Sequence, residues 1–197
     1  MKKKHVTIGI DPSVNSTGLC VSGKDFNIYY IIPSKITKKS LEWTKDKEWI
    51  NVKEYDKVSV TEIDKYHEKE FIKFGNLFVL VETISYILDI IKCNYIIDYI
   101  TMEGVSYGSV KGAALVDLSF LNAMIRMKIH DHGIKFYIVS PTEVKKYAVG
   151  NGAAEKNVMI MSWKKLDKNA QTLPDWFKCD DLADAFFMAH YNPEFSE

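Results

Sequence analysis

A short apolar stretch near the start of the chain, which ends in an acidic residue, constrains the fold most strongly. Apolar residues alternate with small or polar ones over residues 6–11, and this period of two predicts a β-strand with one buried face. Gly9 has no side chain, so another backbone or a ligand can approach the strand closely. Asp11 ends the strand at a predicted sheet edge that faces solvent. An ordinary turn after the strand would also explain the Asp11-Pro12 pair, so Asp11 is a catalytic candidate only if other acids converge on it.

Composition narrows the class of protein. A chain of 197 residues with 47% hydrophobic content can bury a sizeable core in one domain. Lys+Arg and Asp+Glu both number 26, so the net charge does not indicate a nucleic-acid partner. Arg126 is the only arginine, and a surface whose positive charge is nearly all lysine suits unspecific phosphate contact. Cys20, Cys93 and Cys179 have no paired spacing, which favours a reduced, cytoplasmic protein without a zinc site.

Neither a leader nor a membrane segment is expected from the sequence. Three lysines at residues 2–4 lead directly into the first strand rather than into a long apolar run. No apolar run is predicted to be long enough to span a membrane. We therefore expect a cytoplasmic protein with no membrane partner.

The rest of the chain predicts a mixed α/β order. Strands at 18–21 and 26–32, joined by a Gly-containing turn, predict an antiparallel meander. A charged segment at about 34–73 is interpreted as a solvated insertion with a few buried aromatic anchors, and no function is assigned to it. Strand–helix–strand crossovers imply that the later strands pair in parallel. The later predicted elements are helices at 74–91, at 110–132, from 141, from near 153 and at 180–191, a fully buried strand at 95–102, another strand at 134–139, and an irregular stretch at 167–177.

The long helix predicted at 110–132 is apolar on more than one face. A helix of this kind is either buried on two sides or part of a subunit interface. Its apolar residues include Leu115, Val116, Leu118, Phe120, Leu121, Met124, Ile125 and Met127.

Three acids open the last predicted helix. Asp181 and Asp184 are three residues apart and share a face, and Asp180 reaches the same side. The dipole of a helix also favours acids in its first turn. That effect explains Asp180 or Asp181 well, and the sequence does not decide whether Asp180 is a metal ligand or a helix cap. It explains Asp184 less well, because Asp184 lies a turn deeper beside an apolar stripe.

Four carboxylates in all stand at the edges of apolar elements: Asp11, Glu103, Asp181 and Asp184. Glu103 follows a strand and precedes Gly104, which is the same local setting as that of Asp11. Clustered without a cation, these groups would raise one another's pKa values and cost stability. Oxygen ligands alone suit Mg²⁺ or Mn²⁺. Two such ions about 3.5–4 Å apart would hold the attacking water and the leaving oxygen of a phosphodiester cleavage.

Four runs of the sequence together resemble the RuvC family of Holliday-junction resolvases, which have the RNase H-like fold. They are residues 8–12 with Thr17 and Gly18, the strand that ends at Met102 and Glu103, residues 144–156, and residues 181–185. They occur in the family's order and cover most of the chain outside about 34–73. The second half of the 144–156 run and the run at 181–185 are the specific parts, because the first strand is shared with sugar-kinase and actin-type ATPases.

The resemblance implies an α/β, RNase H-like fold with a central mixed five-stranded sheet flanked by helices, in a single domain over 1–197 with the insertion at 34–73. It implies a structure-selective DNA endonuclease that resolves Holliday junctions and other branched DNA by two-metal-ion hydrolysis. Two Mg²⁺ ions per active site are expected, with Mn²⁺ as a substitute. The implied partners are four-way junctions, forks or flaps, and a second copy of the chain that pairs through the helix at 110–132.

Residue roles are carried over by position. The resemblance implies that Asp11, Glu103, Asp181 and Asp184 are catalytic metal ligands. It also implies that Lys156 is catalytic and that Lys145 lies with it beside the scissile phosphate, although both lysines would also suit an ordinary solvated helix face. The expected DNA-binding residues are Lys145, Lys146, Lys156, Tyr107 and Lys111.

The sequence departs from the family's pattern at two places. The insertion at 34–73 is longer than in the bacterial enzymes. The family places an aromatic residue shortly after the glutamate, whereas here Ser106 stands near that point and Tyr107 follows it. Both departures resemble the divergent resolvases of phages or large viruses, so the expected location is the cytoplasm of a bacterium or of a phage-infected host, or a viral factory.

Three other functions share some of these features. An ATP-binding kinase or actin-like protein shares the first strand but needs a longer two-domain chain and a second glycine-rich phosphate loop, neither of which is evident. A non-catalytic branched-DNA binder would keep the fold and lose acids, and all four acids are present. A nuclease of the RNase H type, which acts on RNA–DNA hybrids, would have a similar acidic site. The sequence does not distinguish the preferred branch geometry, a cleavage sequence or the process served.

Overall fold

The computed structural model of the chain describes residues 2–33, 65–105, 112–171 and 180–192. Most of the predicted insertion lies outside these residues. So do Ser106, Tyr107 and Lys111, for which the sequence predictions stay as they are.

The predicted antiparallel meander is confirmed. Strand β1 (Lys4–Asp11) pairs with β2 (Ser16–Gly23), which pairs with β3 (Phe26–Pro33). Only Lys24 and Asp25 separate β2 from β3, a loop length typical of a tight hairpin. The register places Asp11 at the end of β1 opposite Gly18.

The predicted parallel pairing of the later strands is also confirmed. Strand β4 (Tyr95–Glu103) pairs parallel with β1, and β5 (Phe136–Val139) pairs parallel with β4. The described residues thus form a mixed five-stranded sheet in the order β3-β2-β1-β4-β5. The prediction that β4 is fully buried was wrong for its first half, because only residues 100–102 are buried. The short β5 pairs with β4 only from Ile100 onward and leaves the earlier residues more exposed.

Helices cover both faces of this sheet, and several of their limits differ from the sequence predictions. The first begins at Lys65, nine residues before its predicted start at 74. Another short helix lies in the stretch predicted to be irregular. Within the described residues the helices are α1 (Lys65–Asn94), α2 (Ala113–Asp131), α3 (Pro141–Val149), α4 (Lys156–Leu166), α5 (Lys168–Gln171) and α6 (Asp180–His190).

The predicted start of α3 is confirmed in detail. Ser140 is the N-cap: its hydroxyl accepts a hydrogen bond from the backbone N–H of Glu143 (3.2 Å), and the Glu143 carboxylate accepts one from the Ser140 N–H (2.8 Å). This reciprocal pair satisfies two helix-end donors. Gly150, in the left-handed region at φ 75°, ends the helix. The next helix starts at Lys156, three residues later than predicted, because Glu155 is still extended.

Helices α1 and α2 pack on one face of the sheet. Their apolar residues meet the alternating set of β1 and the matching residues of β2 and β4, which together form a continuous core. The buried helical residues include Leu77, Leu80, Val81, Ile84, Ile87, Leu88 and Ile91 of α1 and Leu121, Ile125 and Ile129 of α2.

One segment of α1, Ile72–Asn94, is long and apolar enough to cross a membrane by length and composition. The prediction that no run is long enough was therefore wrong. Of its most apolar window, 44% is buried inside the protein, where it packs on the sheet and on α2. Core packing thus accounts for the buried part of its apolar surface.

Helices α3, α4 and α6 cover the opposite face and form a second core with Cys20 and Tyr29. The expectation that β1 has one buried face was therefore too narrow, because α6 covers the side that carries Gly9 and Asp11. A buried polar network joins α4 to β3: Trp163 Nε1 donates to the Tyr29 hydroxyl (3.0 Å), which donates to the Asp167 carboxylate. The acid-bearing residues of the sheet lie beneath α6, on this second face.

Candidate active site

Two of the predicted acids come together because β1 and β4 are parallel neighbours. Ile10 pairs with Met102, so the residues that follow them, Asp11 and Glu103, end the two strands side by side. Their carboxyl groups lie close enough to share a hydrogen bond. Such a bond requires one of the two groups to hold a proton.

Glycines bring α6 onto this pair. A Cβ atom on Gly9 would lie 1.9 Å from the carbonyl oxygen of Ala185, and one on Gly18 would lie 2.3 Å from that of Asp181. The close approach expected at Gly9 is thus made by another backbone. The two glycines let α6 lie directly on β1 and β2 and bring Asp184 down to the strand ends.

Three carboxylates form the centre of the site. Asp11, Glu103 and Asp184 each offer an oxygen, and these oxygens all lie within 4.8 Å of one another. The fourth predicted acid, Asp181, lies close enough for its charge to raise the pKa of both Asp11 and Glu103. The structure therefore brings all four predicted acids to one place, with three in a tight group and Asp181 beside them.

Burial and mutual repulsion disfavour the state in which all three carboxyl groups are ionised. Burial raises the pKa of Asp11 well above its ordinary value, and the charges of Glu103, Asp184 and Asp181 raise it further. Burial and the Glu103 charge raise the pKa of Asp184 to about 7. Burial likewise raises the pKa of Glu103, although the bond with Asp11 and two nearby lysines oppose the rise. A bound divalent cation would relieve this repulsion, and an all-oxygen donor set fits a hard cation such as Mg²⁺.

Two predicted lysines lie near the acids. Lys145 belongs to α3 and Lys156 begins α4, and the positive charges of both lower the pKa values of Glu103 and Asp184. Lys146 is exposed in the last turn of α3, and successive residues of a helix do not share a face. Lys146 therefore points to a different side of α3 from Lys145.

Asp180 forms an ion pair instead of joining the group of three acids. Its carboxylate accepts a hydrogen bond from Lys156 Nζ at 2.6 Å. Burial opposes ionisation of Asp180, but the bond and charge of Lys156 and the backbone N–H groups of Asp180 and Asp181 together lower its pKa below the ordinary value. The sequence left the role of Asp180 undecided, and no local pattern links it to a lysine 24 residues away.

Three hydroxyl groups that hold the end of α6 had no sequence prediction. Each donates to one of three successive carbonyls, so the end of the helix is fixed on β1, β4 and α3. The sequence placed Thr7 only on the face of β1 opposite the predicted buried one, and no local signal marks the two tyrosines. The bonds run from Thr7 Oγ1 to the Ala189 oxygen (2.6 Å), from the Tyr147 hydroxyl to that of His190 (2.8 Å) and from the Tyr99 hydroxyl to that of Tyr191 (3.3 Å).

The only arginine has a partner within its own helix. Arg126 Nη2 donates to Asn122 Oδ1 on α2 at 2.9 Å, on the opposite side of the sheet from α6. This placement agrees with the expectation that lysine supplies the positive charge near any bound DNA.

Comparison with protein families gives one match of direct relevance. The profile of the family described as crossover junction endodeoxyribonuclease RuvC matches residues 73–190, more than half of the chain. This range includes Glu103, Asp181, Asp184, Lys145 and Lys156. It begins after Asp11, whose place in the site rests on the β1–β4 pairing. A comparison with curated protein sequences finds no match.

Solved structures of resolvases share the fold. Thermus thermophilus RuvC in complex with a Holliday junction substrate is 16% identical, with a TM-score of 0.57 over 93% of this chain and 90% of that chain. The yeast mitochondrial Holliday junction resolvase is 14% identical, with a TM-score of 0.52 over 96% of this chain and 78% of that chain. The family match decides against the kinase or actin-like alternative. The chain belongs to the RuvC family of crossover junction endodeoxyribonucleases.

Proposed function

We propose that this nuclease cuts four-way DNA junctions at the site formed by Asp11, Glu103, Asp181 and Asp184. The observation that carries the proposal is the group of three carboxylate oxygens within 4.8 Å of one another, with lysine charge beside it. A group of half-buried acids that raise one another's pKa values is typical of a functional site rather than of a stabilising one.

The proposed cofactor is Mg²⁺, two ions per site, with Mn²⁺ as a substitute. All the candidate ligands are carboxylates, which are the donors that these hard cations prefer. When bound, two such ions supply Lewis-acid stabilisation of the attacking and leaving oxygens of a phosphodiester. The four acids would bind them as anions, so cation binding competes with the protons that the buried carboxyl groups otherwise retain.

The lysines have a separate role in this proposal. Hydrolysis joins a water oxygen to phosphorus and breaks one bridging P–O bond, which leaves a phosphate end and a hydroxyl end at the nick. Negative charge develops on the phosphate oxygens during this exchange. Lys156, and Lys145 with it, would face that charge from the rim of the acidic site and stabilise it.

Resolution of a junction requires two cuts, and we propose that a homodimer makes them. The exposed side of α2 carries Val116 and Phe120, which are 52% and 53% exposed. The neighbouring part of α1 adds Phe74 and Phe78, at 54% and 50%. Large exposed apolar residues on adjacent helices are typical of an interface, and a two-fold axis through this surface would give the assembly two equivalent sites.

The DNA surface is proposed to be a local lysine surface around the acidic site. The formal net charge of the chain is +0, so attraction to DNA depends on where the lysines lie. Lysine contacts with phosphate carry little base information, so we expect selection of four-way junctions, forks or flaps by shape. Tyr107 and Lys111, which follow Glu103 in the sequence, stay in the proposal as DNA-binding residues, and Lys146 as a peripheral one.

The proposed location is the cytoplasm of a bacterium or of an infected host. The whole chain is proposed to form a single nuclease domain.

A substrate panel tests this function. The protein with Mg²⁺ is incubated with labelled four-way junctions, forks, flaps and RNA–DNA hybrids. Wild type is expected to cut junctions on opposed strands, and Asp11→Asn is expected to bind them without cutting. The matched control is Asp131→Asn, at an exposed acid of α2, which should cut at the wild-type rate. Cleavage of hybrids alone would favour the RNase H alternative, and tight binding without any cleavage would favour a non-catalytic binder.

A further inference from the structure

The contact between Lys156 and Asp180 joins the starts of two helices. Lys156 is the first residue of α4 and Asp180 is the first residue of α6. Lys156 Nζ lies 2.6 Å from Asp180 Oδ2. The Lys156 side chain is 69% exposed and that of Asp180 only 25%. A largely free side chain is therefore held at its charged end by a more restricted one.

Asp180 is itself held by the helix that it starts. Its carboxylate interacts with the backbone N–H groups of Asp180 and Asp181 as well as with Lys156. A carboxylate that accepts these bonds at a helix N-terminus is both ordered and stabilised as an anion. Since α6 is also the helix that delivers Asp184 to the site, the carboxylate of Asp180 has a fixed position relative to the acids.

We propose that Asp180 is a positioning residue that holds the Lys156 ammonium group at the rim of the acidic site, in place for the scissile phosphate. The proposal rests on the proposed function of Lys156. A free lysine side chain occupies many rotamers, and all but a few must be given up when it binds a phosphate. The Asp180 contact removes part of that freedom before DNA arrives.

The chemistry of lysine allows both contacts at once. An ammonium group has three N–H donors and no acceptor, so one bond to Asp180 leaves two donors for phosphate oxygens. The charge of Lys156 lowers the pKa values of Glu103 and Asp184, which is consistent with its position beside the acids. Asp180 would thus act on the reaction through Lys156.

The test is a double-mutant cycle on cleavage of a four-way junction in single turnover at saturating protein with Mg²⁺. The variants are Asp180→Ala, Lys156→Ala and the double variant, and Asp131→Asn is the control. We expect Asp180→Ala to lower the cleavage rate about tenfold and to leave the junction Kd within about twofold of wild type. The double variant should be no slower than Lys156→Ala alone, since a positioning residue has no effect once its target is absent.

Asp180→Asn separates the effect of the Asp180 charge from that of its contacts with the start of α6. Asparagine keeps a side-chain oxygen that can accept from the same backbone N–H groups, so this variant should stay close to the thermal stability of wild type and lose the charge that holds Lys156. Its cleavage rate should fall between those of wild type and Asp180→Ala, with the Mg²⁺ concentration for half-maximal rate unchanged. A shift in that concentration, or losses that multiply in the double variant, would show that Asp180 acts independently, as a metal ligand would.

Two other outcomes also overturn the proposal. Faster cleavage by Asp180→Ala would mean that the ion pair withholds Lys156 from the phosphate. A wild-type rate for Lys156→Ala would remove the target of positioning, and the role of Asp180 would fail with it. Asp11→Asn, measured in parallel, keeps this failure distinct from failure of the acidic site itself.

Discussion

A Cβ atom on Gly9 would lie 1.9 Å from the carbonyl oxygen of Ala185, so α6 lies directly on the bare backbone of β1. No side chain can be inserted at this point without moving the helix. The neighbouring residue of α6, Asp184, is the one that completes the group of three acids with Asp11 and Glu103. Packing between strand and helix therefore sets the geometry of the proposed catalytic site.

Substitution of Gly9 by alanine is expected to damage both stability and cleavage. The added methyl group must displace α6, and overpacking of this kind costs about 1–3 kcal/mol. The displacement separates Asp184 from Asp11, so junction cleavage should fall by more than the loss of folded protein explains. Urea unfolding and single-turnover cleavage measure the two effects. The control is Gly75→Ala on α1, where a Cβ would meet nothing within 4 Å; it should be neutral or stabilising, because alanine favours a helix by about 1 kcal/mol. Equal cleavage by both variants would contradict this view of Gly9.

The acids of the site could be predicted from sequence because each has a local signal. Asp11 and Glu103 both end apolar strands, and Asp184 lies beside the apolar stripe of its helix. Parallel β1 and β4 then bring the two strand ends together. The start of α3 was predictable for the same reason, since Ser140 and Glu143 form a capping box within four residues of sequence.

Features that depend on distant contacts could not be predicted in this way. The Lys156–Asp180 pair and the bond from Thr7 to the Ala189 carbonyl join residues 24 and 182 positions apart. The start of α1 at Lys65 was missed because its first turns are charged. The covering of both faces of β1 was missed because Gly9 and Thr7 give no apolar signal, although α6 lies over them.

The stability of the metal-free protein is expected to fall as the pH rises from about 5 to 8. The pKa of Asp184 is about 7 in the folded protein, against about 4 for an ordinary carboxyl group. Between these values the folded state binds more protons than the unfolded state, so each rise in pH favours unfolding. The raised pKa values of Asp11 and Glu103 act in the same direction. Urea unfolding in a chelator should show a loss on the order of 2 kcal/mol over this range.

The variant Asp11→Asn checks the cause of that pH dependence. It removes one of the clustered carboxylate charges, so the metal-free variant should lose less stability than wild type between pH 5 and 8 and should be the more stable of the two at pH 8. The control Asp131→Asn, at an exposed acid, should follow the wild-type curve. A wild-type slope in Asp11→Asn would mean that groups elsewhere cause the dependence.

Addition of Mg²⁺ is expected to reverse the loss at pH 8. A cation that binds only the folded protein stabilises it by about 2.7 kcal/mol at a concentration one hundred times its Kd. Here it would offset the negative charges of the carboxyl groups that ionise as the pH rises. Differential scanning fluorimetry should show a rise in Tm with Mg²⁺ that is much smaller in Glu103→Gln and Asp184→Asn. At pH 5 the rise should also shrink, because protons then compete for the same oxygens. Equal shifts in wild type and in both variants would place the cation elsewhere.

The proposed dimer surface can be tested apart from the chemistry, because its residues lie on the other side of the sheet from α6. Phe120 on α2 and Phe78 on α1 are 53% and 50% exposed, so Phe120→Glu and Phe78→Glu should leave the monomer folded. In a dimer these positions would be buried against a second copy, and an unpaired carboxylate there should weaken association at least about 100-fold. Light scattering should then show monomers at micromolar concentration. Each monomer keeps one acidic site, so single nicks should persist while paired cuts on opposed strands are lost.

Met161→Glu on α4, at an exposed apolar residue of the other face (61%), is the control and should stay dimeric. A wild-type protein that is monomeric and still makes paired cuts would contradict the proposed assembly.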